Sequence, residues 1–265
     1  MQILRRSSCF FLLQFTLLLT LWACQNNKEK DQANSEKVLR IAVAANMRST
    51  AEELLRAFEA EHGIVCELVS SSSGKLTAQI MQGAPYDVFL SADLDYPTVL
   101  FEKEFTTGPP RIYAEGSLVL WTLKEGMQPS LTVLDSDQIQ RIALANPKIA
   151  PYGMAAQTVL ERSGLIAGLS KKLVYGESLG QTNQFIASGA AEIGFTSKSA
   201  ALEHDGLGHS RWIELDKDLY APLEQAMVLL KSNSELLPEA ELFQDFVFSD
   251  IAEEIFLEHG YKLNQ

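Results

Sequence analysis

Basic residues are scarce in this chain. Lys and Arg number 22 against 34 Asp and Glu, for a formal charge of −12. A nucleic-acid backbone is neutralised by Lys and Arg patches, so that class of partner is excluded. Cysteine is scarcer still, at 3. Cys9 and Cys24 stand in a leader-like segment, which leaves Cys66 without a mate for an intramolecular disulfide. The 4 histidines, His62, His204, His209 and His259, are scattered and form no His/Cys cluster of metal-ligand spacing. No apolar run reaches the ~20 residues of a comfortable membrane span. A P-loop is also lacking: around Ser73, Gly74 and Lys75 the earlier glycine is replaced by Val69 and the final Ser/Thr by Leu76.

What is present begins with a leader. Arg5 and Arg6 precede an apolar run from Cys9 to Leu21, the pattern of a secretory signal. Leu21, Trp22, Ala23 and Cys24 then fit a lipobox, in which cleavage precedes a cysteine that carries lipid. Residues 1–23 are expected to be a lipoprotein signal peptide and Cys24 its lipidated residue. The other reading is an ordinary signal peptide with a stray cysteine. Residues 24–37 are polar and too poor in apolar side chains to bury a core, hence a flexible tether. Arg5 and Arg6 leave with the leader, so 20 Lys and Arg face 34 acids and the charge becomes −14. The expected product is exported and faces the periplasm or the cell exterior, held to a bacterial membrane by lipid alone.

From Val38 the composition is globular. Val38 to Ala44 is a near-continuous apolar strand, the kind buried on both faces of a parallel sheet. Asn46 reads as the N-cap of a helix over 49–62, whose apolar stripe is Ala51, Leu54, Leu55 and Phe58 and whose stop is Gly63. A strand over 64–69, a turn at Ser70 to Ser73, a helix to Met81, a strand over 87–90 and a helix over 93–101 follow. Thr106 to Gly116, with Gly108, Pro109 and Pro110, reads as a loop. The alternation then restarts with strands at 118–123, 142–145, 173–175 and 193–196 and helices at 152–163 and 180–187. A strand over 225–230 and helices over 238–248 and 251–258 end the chain. Repeated strand–turn–helix units define an α/β fold with parallel sheets. Two such blocks, joined by crossings near Gly116 and Pro222, predict two lobes with a cleft between them. One lobe is 38–117 plus 223–265, the other 118–222.

Four strand-to-helix turns carry hydrogen-bond donors: Ala45 and Asn46; Ser72, Ser73 and Gly74; Pro151, Tyr152 and Gly153; Ser178, Leu179 and Gly180. Each sets backbone N–H groups at the positive end of a helix dipole, a ready anion site without fixed positive charge. Capping explains each turn singly. Their number, and their division between two lobes, is what points to one shared ligand.

From Val38 to Leu263 the chain resembles the periplasmic molybdate-binding proteins of ABC transporters. The resemblance is carried by Ala44, Ala45 and Asn46, by Ser72 to Leu76 with Gln79 and Ile80, and by Gly83, Ala84 and Pro85 through Asp87, Val88 and Phe89 to Ser91 and Ala92. Later come Asn146 and Pro147, Ala150 to Gly153, Ala155 and Ala156, Gly176 and Glu177, Gln184 and Phe185, Ser188 and Gly189, Gly194 and Phe195, and Gly260 and Tyr261. It implies a two-lobed periplasmic-binding-protein-like α/β fold, each lobe a parallel-dominated sheet flanked by helices, with two crossover strands. It implies a tetrahedral oxyanion, molybdate or tungstate, held by Asn46 and Ser73 from one lobe and by Tyr152 and the N–H of Leu179 from the other. Ala45, Ser72 and Ser197 are the further positions it suggests. It implies a monomer with no cofactor and no direct metal ligands, which delivers its ligand to the permease of an ABC importer.

Neutral donors suit such a ligand. Molybdate, tungstate and sulfate are dianions at pH 7 with no proton to donate, and a site of donors pairs all their oxygens. A protonated phosphate leaves its O–H against another donor, at ~1–3 kcal/mol for each unpaired group. Sulfate, or another tetrahedral oxyanion, stays open as the ligand. Arg48 and Lys75 flank the donors and read as solvated helix residues. A reading from another class rests on Gly176, Glu177, Ser178, Leu179 and Gly180, which match the G-x-S-x-G nucleophile elbow of an esterase. Asp245 and His259 are its candidate partners, and no HG-type oxyanion loop stands upstream.

Overall fold

The computed structural model describes residues 38–231 and 236–263. The expected signal peptide, the expected lipidation at Cys24 and the expected tether lie outside the described residues. Val38–Gln265 forms one compact unit.

Two five-stranded sheets make the fold. The first begins with three parallel strands, β1 (Leu39–Ala44), β2 (Cys66–Ser71) and β3 (Val88–Ser91), linked by α1 (Arg48–His62) and α2 (Ser73–Met81). After α3 (Asp95–Glu102), β4 (Arg111–Gly116) leaves this sheet. The chain then enters the second sheet at β5 (Leu118–Thr122). There β6 (Ile142–Ala145), β7 (Leu173–Gly176) and β8 (Ile193–Ser197) are parallel, with α4 (Pro151–Arg162), α5 (Ile166–Leu169) and α6 (Leu179–Ala187) between them. Past α7 (Lys198–Leu202), β9 (Arg211–Glu214) leaves and β10 (Leu223–Leu229) returns to the first sheet, where α8 (Leu237–Val247) and α9 (Asp250–Glu258) follow.

The strand orders are β2-β1-β3-β10-β4 and β7-β6-β8-β5-β9. In each sheet one strand runs against the other four, and it is the strand that enters after a crossing. The strand that leaves pairs with the strand that returns, β4 with β10 and β5 with β9. The two lobes are thus joined through paired strands.

Apolar periodicity accounts for the helices. Leu54 and Phe58 of α1 are fully buried, each worth ~1.5–3 kcal/mol. Phe58 meets Phe243 of α8 edge to face at 5.1 Å between centroids. On β1 only Arg40 is exposed, and it pairs with Glu67, its neighbour in register on β2, at 3.1 Å. Asp87 is buried and accepts the Arg40 N–H at 2.8 Å, a structural role.

Two expectations are corrected. The stretch expected as loop up to Gly116 contains β4, an edge strand whose opening Pro109–Pro110 pair and polar Arg111 and Glu115 mask its alternation. Asn46 is not the cap of α1. Ala45–Met47 forms a 3₁₀ turn, the N-cap position falls on Met47, and no side chain caps the helix. The Asn46 amide is drawn inward by long-range partners instead.

Beside the crossings lies a charged cluster. Glu214 accepts from Ser117 Oγ at 2.7 Å and from the ammonium groups of Lys198 and Lys262, each at 3.1 Å. These bonds outweigh desolvation and hold its carboxyl down at about 2. Among the described residues, no helix is long and apolar enough to cross a membrane.

Candidate functional site

Register brings the donor turns together. Ala44 pairs with Ser71, so the turns after β1 and β2 lie side by side. Ala145 pairs with Gly176, which does the same for the turns after β6 and β7. Both pairs of turns stand at the carboxyl ends of parallel strands, where α/β folds place ligands. They meet in one cavity. Ala44, Ala45, Asn46, Ser72, Ser73 and Ala92 line it from the first lobe, and Ala150, Pro151, Tyr152 and Leu179 from the second. Its volume is about 10 Å³, the size of one water site.

No lining residue carries a formal charge. The nearby cations are engaged elsewhere: Arg48 pairs with Glu52 at 3.0 Å, and Lys75 pairs with Glu177 of the other lobe at 2.8 Å. The N-terminal ends of α2, α4 and α6 supply the positive potential. Leu179 is the first residue of α6, so its N–H has no acceptor within the helix.

Hydroxyl groups complete the donor set. Ser73 is fully buried and its Oγ accepts the Ala92 N–H at 3.1 Å, which leaves its own proton to give. Ser72 Oγ and Tyr152 OH are buried with no hydrogen-bond partner among the described residues. Asn46 lies near the Tyr152 hydroxyl but outside hydrogen-bonding geometry. Burial holds the Tyr152 phenol well above its ordinary range, so it keeps its proton at any physiological pH. Two unpaired buried hydroxyls at one cavity cost ~1–3 kcal/mol each, a cost that an acceptor ligand removes.

Asn46 lines the cavity, but its Nδ2 donates to Gln225 Oε1 at 2.8 Å and to Tyr261 OH at 3.2 Å. Ala45 contributes wall surface. Ser197 is not in the lining: it is the N-cap of α7, its Oγ accepting the Ala200 N–H and meeting Ser199 Oγ at 2.9 Å. The esterase constellation is not assembled. Ser178 Oγ accepts the Gln181 N–H as the cap of α6, His259 pairs with Glu53 at 2.8 Å, and Asp245 faces Arg111 at 3.9 Å. A separate, larger depression lined by Arg40, Tyr86, Asp87 and Lys231 shares no residue with the cavity and carries a buried carboxylate.

The lobes also touch through direct hydrogen bonds. Gly74 N–H donates to Ile149 O at 2.9 Å, and Tyr96 OH reaches Lys148 O at 3.4 Å. Ser199 Oγ donates to Asn46 O at 2.9 Å, and Ser49 bonds Glu203.

Gly116 was expected only as a crossing between the lobes; the structure also sets it against Tyr152. A Cβ built on it would lie 2.1 Å from the Tyr152 hydroxyl and 3.1 Å from Gln225 Nε2. The missing side chain is the space the phenol occupies. Gly116→Ala is expected to fold but to displace the Tyr152 ring, and to weaken ligand binding by about tenfold or more, the loss of one hydrogen bond to a charged group. Titration of this variant beside the native protein checks it.

Comparison with known proteins shows the family. The model of the bacterial extracellular solute-binding protein family matches residues 39–262. The molybdate-binding protein ModA of Rhodobacter capsulatus is 36% identical over 221 residues, 83% of this chain and 86% of that protein. The solved periplasmic molybdate-binding protein of Azotobacter vinelandii superposes with a TM-score of 0.81 at 35% identity, over 86% of this chain and 100% of that one. A putative ABC transporter substrate-binding lipoprotein of Bacillus subtilis, YvgL, is 25% identical over 253 residues, 95% of this chain and 96% of that protein. The chain belongs to the bacterial extracellular solute-binding proteins and, among them, to the family of periplasmic molybdate-binding proteins.

Proposed function

We propose that this protein captures molybdate, and tungstate by the same chemistry, in the cavity between its lobes and delivers it to an ABC importer. The observation that carries the reading is the pair of buried, unpartnered hydroxyls, Ser72 Oγ and Tyr152 OH, on residues that line one uncharged cavity from the two lobes. Ser73 Oγ and the Leu179 N–H complete the donor set, and Asn46 shapes the wall with its amide tied back. Relatives described as molybdate-binding support the ligand.

Binding couples to closure. The lobes, 38–117 with 223–265 and 118–222, part about the two crossings to admit the ligand and close when both supply donors, a shift selected by the ligand. A lipid on Cys24 would tether the protein, as the likeness to a substrate-binding lipoprotein suggests. A sulfate receptor is the competing reading, since sulfate offers the same charge and shape. Calorimetric titration with molybdate, tungstate, sulfate and phosphate decides between them. Saturable heat with molybdate and tungstate and none with phosphate is expected. Heat with sulfate alone would overturn the ligand while leaving the site in place.

A further inference from the structure

Gln225 stands behind the cavity wall and is absent from its lining, yet it holds two residues that are part of it. It lies on β10, fully buried, where the pairing with β4 shifts register. Its Nε2 donates to Ala92 O and to Leu223 O, each at 3.0 Å. Its Oε1 accepts from Asn46 Nδ2 at 2.8 Å. Backbone carbonyls only accept, so two of them on one side decide which end of the Gln225 amide is nitrogen. The oxygen must then face Asn46. That turns the Asn46 nitrogen toward Gln225 and toward Tyr261 OH.

Ala92 is the second branch. Its carbonyl receives Gln225, and its N–H donates to Ser73 Oγ. With one lone pair of Ser73 occupied from Ala92, its hydroxyl proton points elsewhere. One side chain thus sets the polarity of the Asn46 wall and the placement of the Ser73 donor, from a returning strand of the same sheet. A merely space-filling role would be served by an apolar residue; one bond within its own strand and two to other segments, at Asn46 and Ala92, serve orientation.

We propose that Gln225 is a positioning residue of the oxyanion site, which fixes Ser73 through Ala92 and the Asn46 amide directly. This rests on the proposed function for its ligand but has a test that needs none. Gln225→Met keeps the length and removes both polar ends. In ligand-free protein, the Asn46 side-chain amide protons, held on two acceptors, are expected to exchange at least about tenfold faster in Gln225→Met than in the native chain, as the loss of one such bond implies. Molybdate affinity falls by about tenfold or more. Ser73→Ala, which weakens the native protein, then costs less than about threefold on top of Gln225→Met, the signature of coupled residues.

Unchanged exchange at Asn46 overturns the proposal, and so does a Ser73→Ala penalty equal in both backgrounds. If wild-type protein ignores molybdate, the functional reading fails, and the exchange measurement still decides the role of Gln225. Should methionine at 225 prevent folding, Gln225→Glu, measured at a pH where the new carboxyl is ionised, keeps the acceptor toward Asn46 and loses the donor toward Ala92. There the Asn46 amide is expected to stay slow while the Ser73→Ala penalty shrinks. A penalty that does not shrink overturns the Ala92 branch and the proposal with it.

Discussion

Tyr152→Phe is expected to stabilise the ligand-free protein and to weaken molybdate binding in the same variant. The two effects have one cause. The Tyr152 hydroxyl is buried and unpartnered, so removing it relieves a penalty of about 1 kcal/mol or more. For a chain of this size that raises the melting temperature by about 2–4 °C. Its hydrogen bond to a dianion is charge-assisted, at ~1.5–3 kcal/mol, so affinity falls by roughly 10- to 150-fold. A ring packed only as structure behaves differently: its loss of a partnered hydroxyl lowers stability and leaves binding alone. Melting curves with and without molybdate read both effects. A variant less stable than wild type without ligand, or one that binds as tightly, removes Tyr152 from the site.

Gly153→Ala is expected to do more damage, to fold and function together. A Cβ on Gly153 would lie 2.2 Å from Ala145 O, 2.7 Å from Ala145 C and 3.0 Å from Asn146 C. All three are backbone atoms at the end of β6, so no side chain can turn aside. α4 must lift from the sheet, and it carries Pro151 and Tyr152 with it. Overpacking costs ~1–3 kcal/mol and more when nothing can relax. A cost of about 3 kcal/mol corresponds to a fall of about 6–12 °C in melting temperature. Molybdate binding weakens by at least about 100-fold, because Tyr152 leaves the cavity and its lobe no longer closes on the ligand. Thermal melts and titration on the purified variant check both numbers. A melting temperature within about 2 °C of wild type would show that the helix has room the geometry denies it.

What the sequence made legible follows its local signals. The apolar runs of β1, β3 and β6 and the stripes of α1 and α4 announced their elements, because buried faces demand them. The edge strands β4 and β9 were missed because half their residues face solvent. Ser73, Tyr152 and Leu179 were legible as donors at strand-to-helix turns, each with its helix start beside it. Ser72 was read chiefly as turn, and its unpartnered hydroxyl emerged only from packing. Asn46 was misjudged as a cap because its true partners, Gln225 and Tyr261, are 179 and 215 residues away. Gly116 was legible only as a crossing and Gln225 only as the start of a strand, for the same reason. Their roles exist only once β10 has returned beside β4 and the second lobe has brought Tyr152 against them.

We propose that a tetrahedral dianion sits between the lobes on neutral donors alone. Anomalous diffraction at the molybdenum edge, from crystals grown with molybdate, tests it most directly. One molybdenum peak is expected in the cavity between Ser72, Ser73, Tyr152 and Leu179, with its oxygens at hydrogen-bond distance from those groups and no Lys or Arg side chain in contact. A peak elsewhere on the molecule, or a molybdate held there by Lys75 or Arg48, would contradict it.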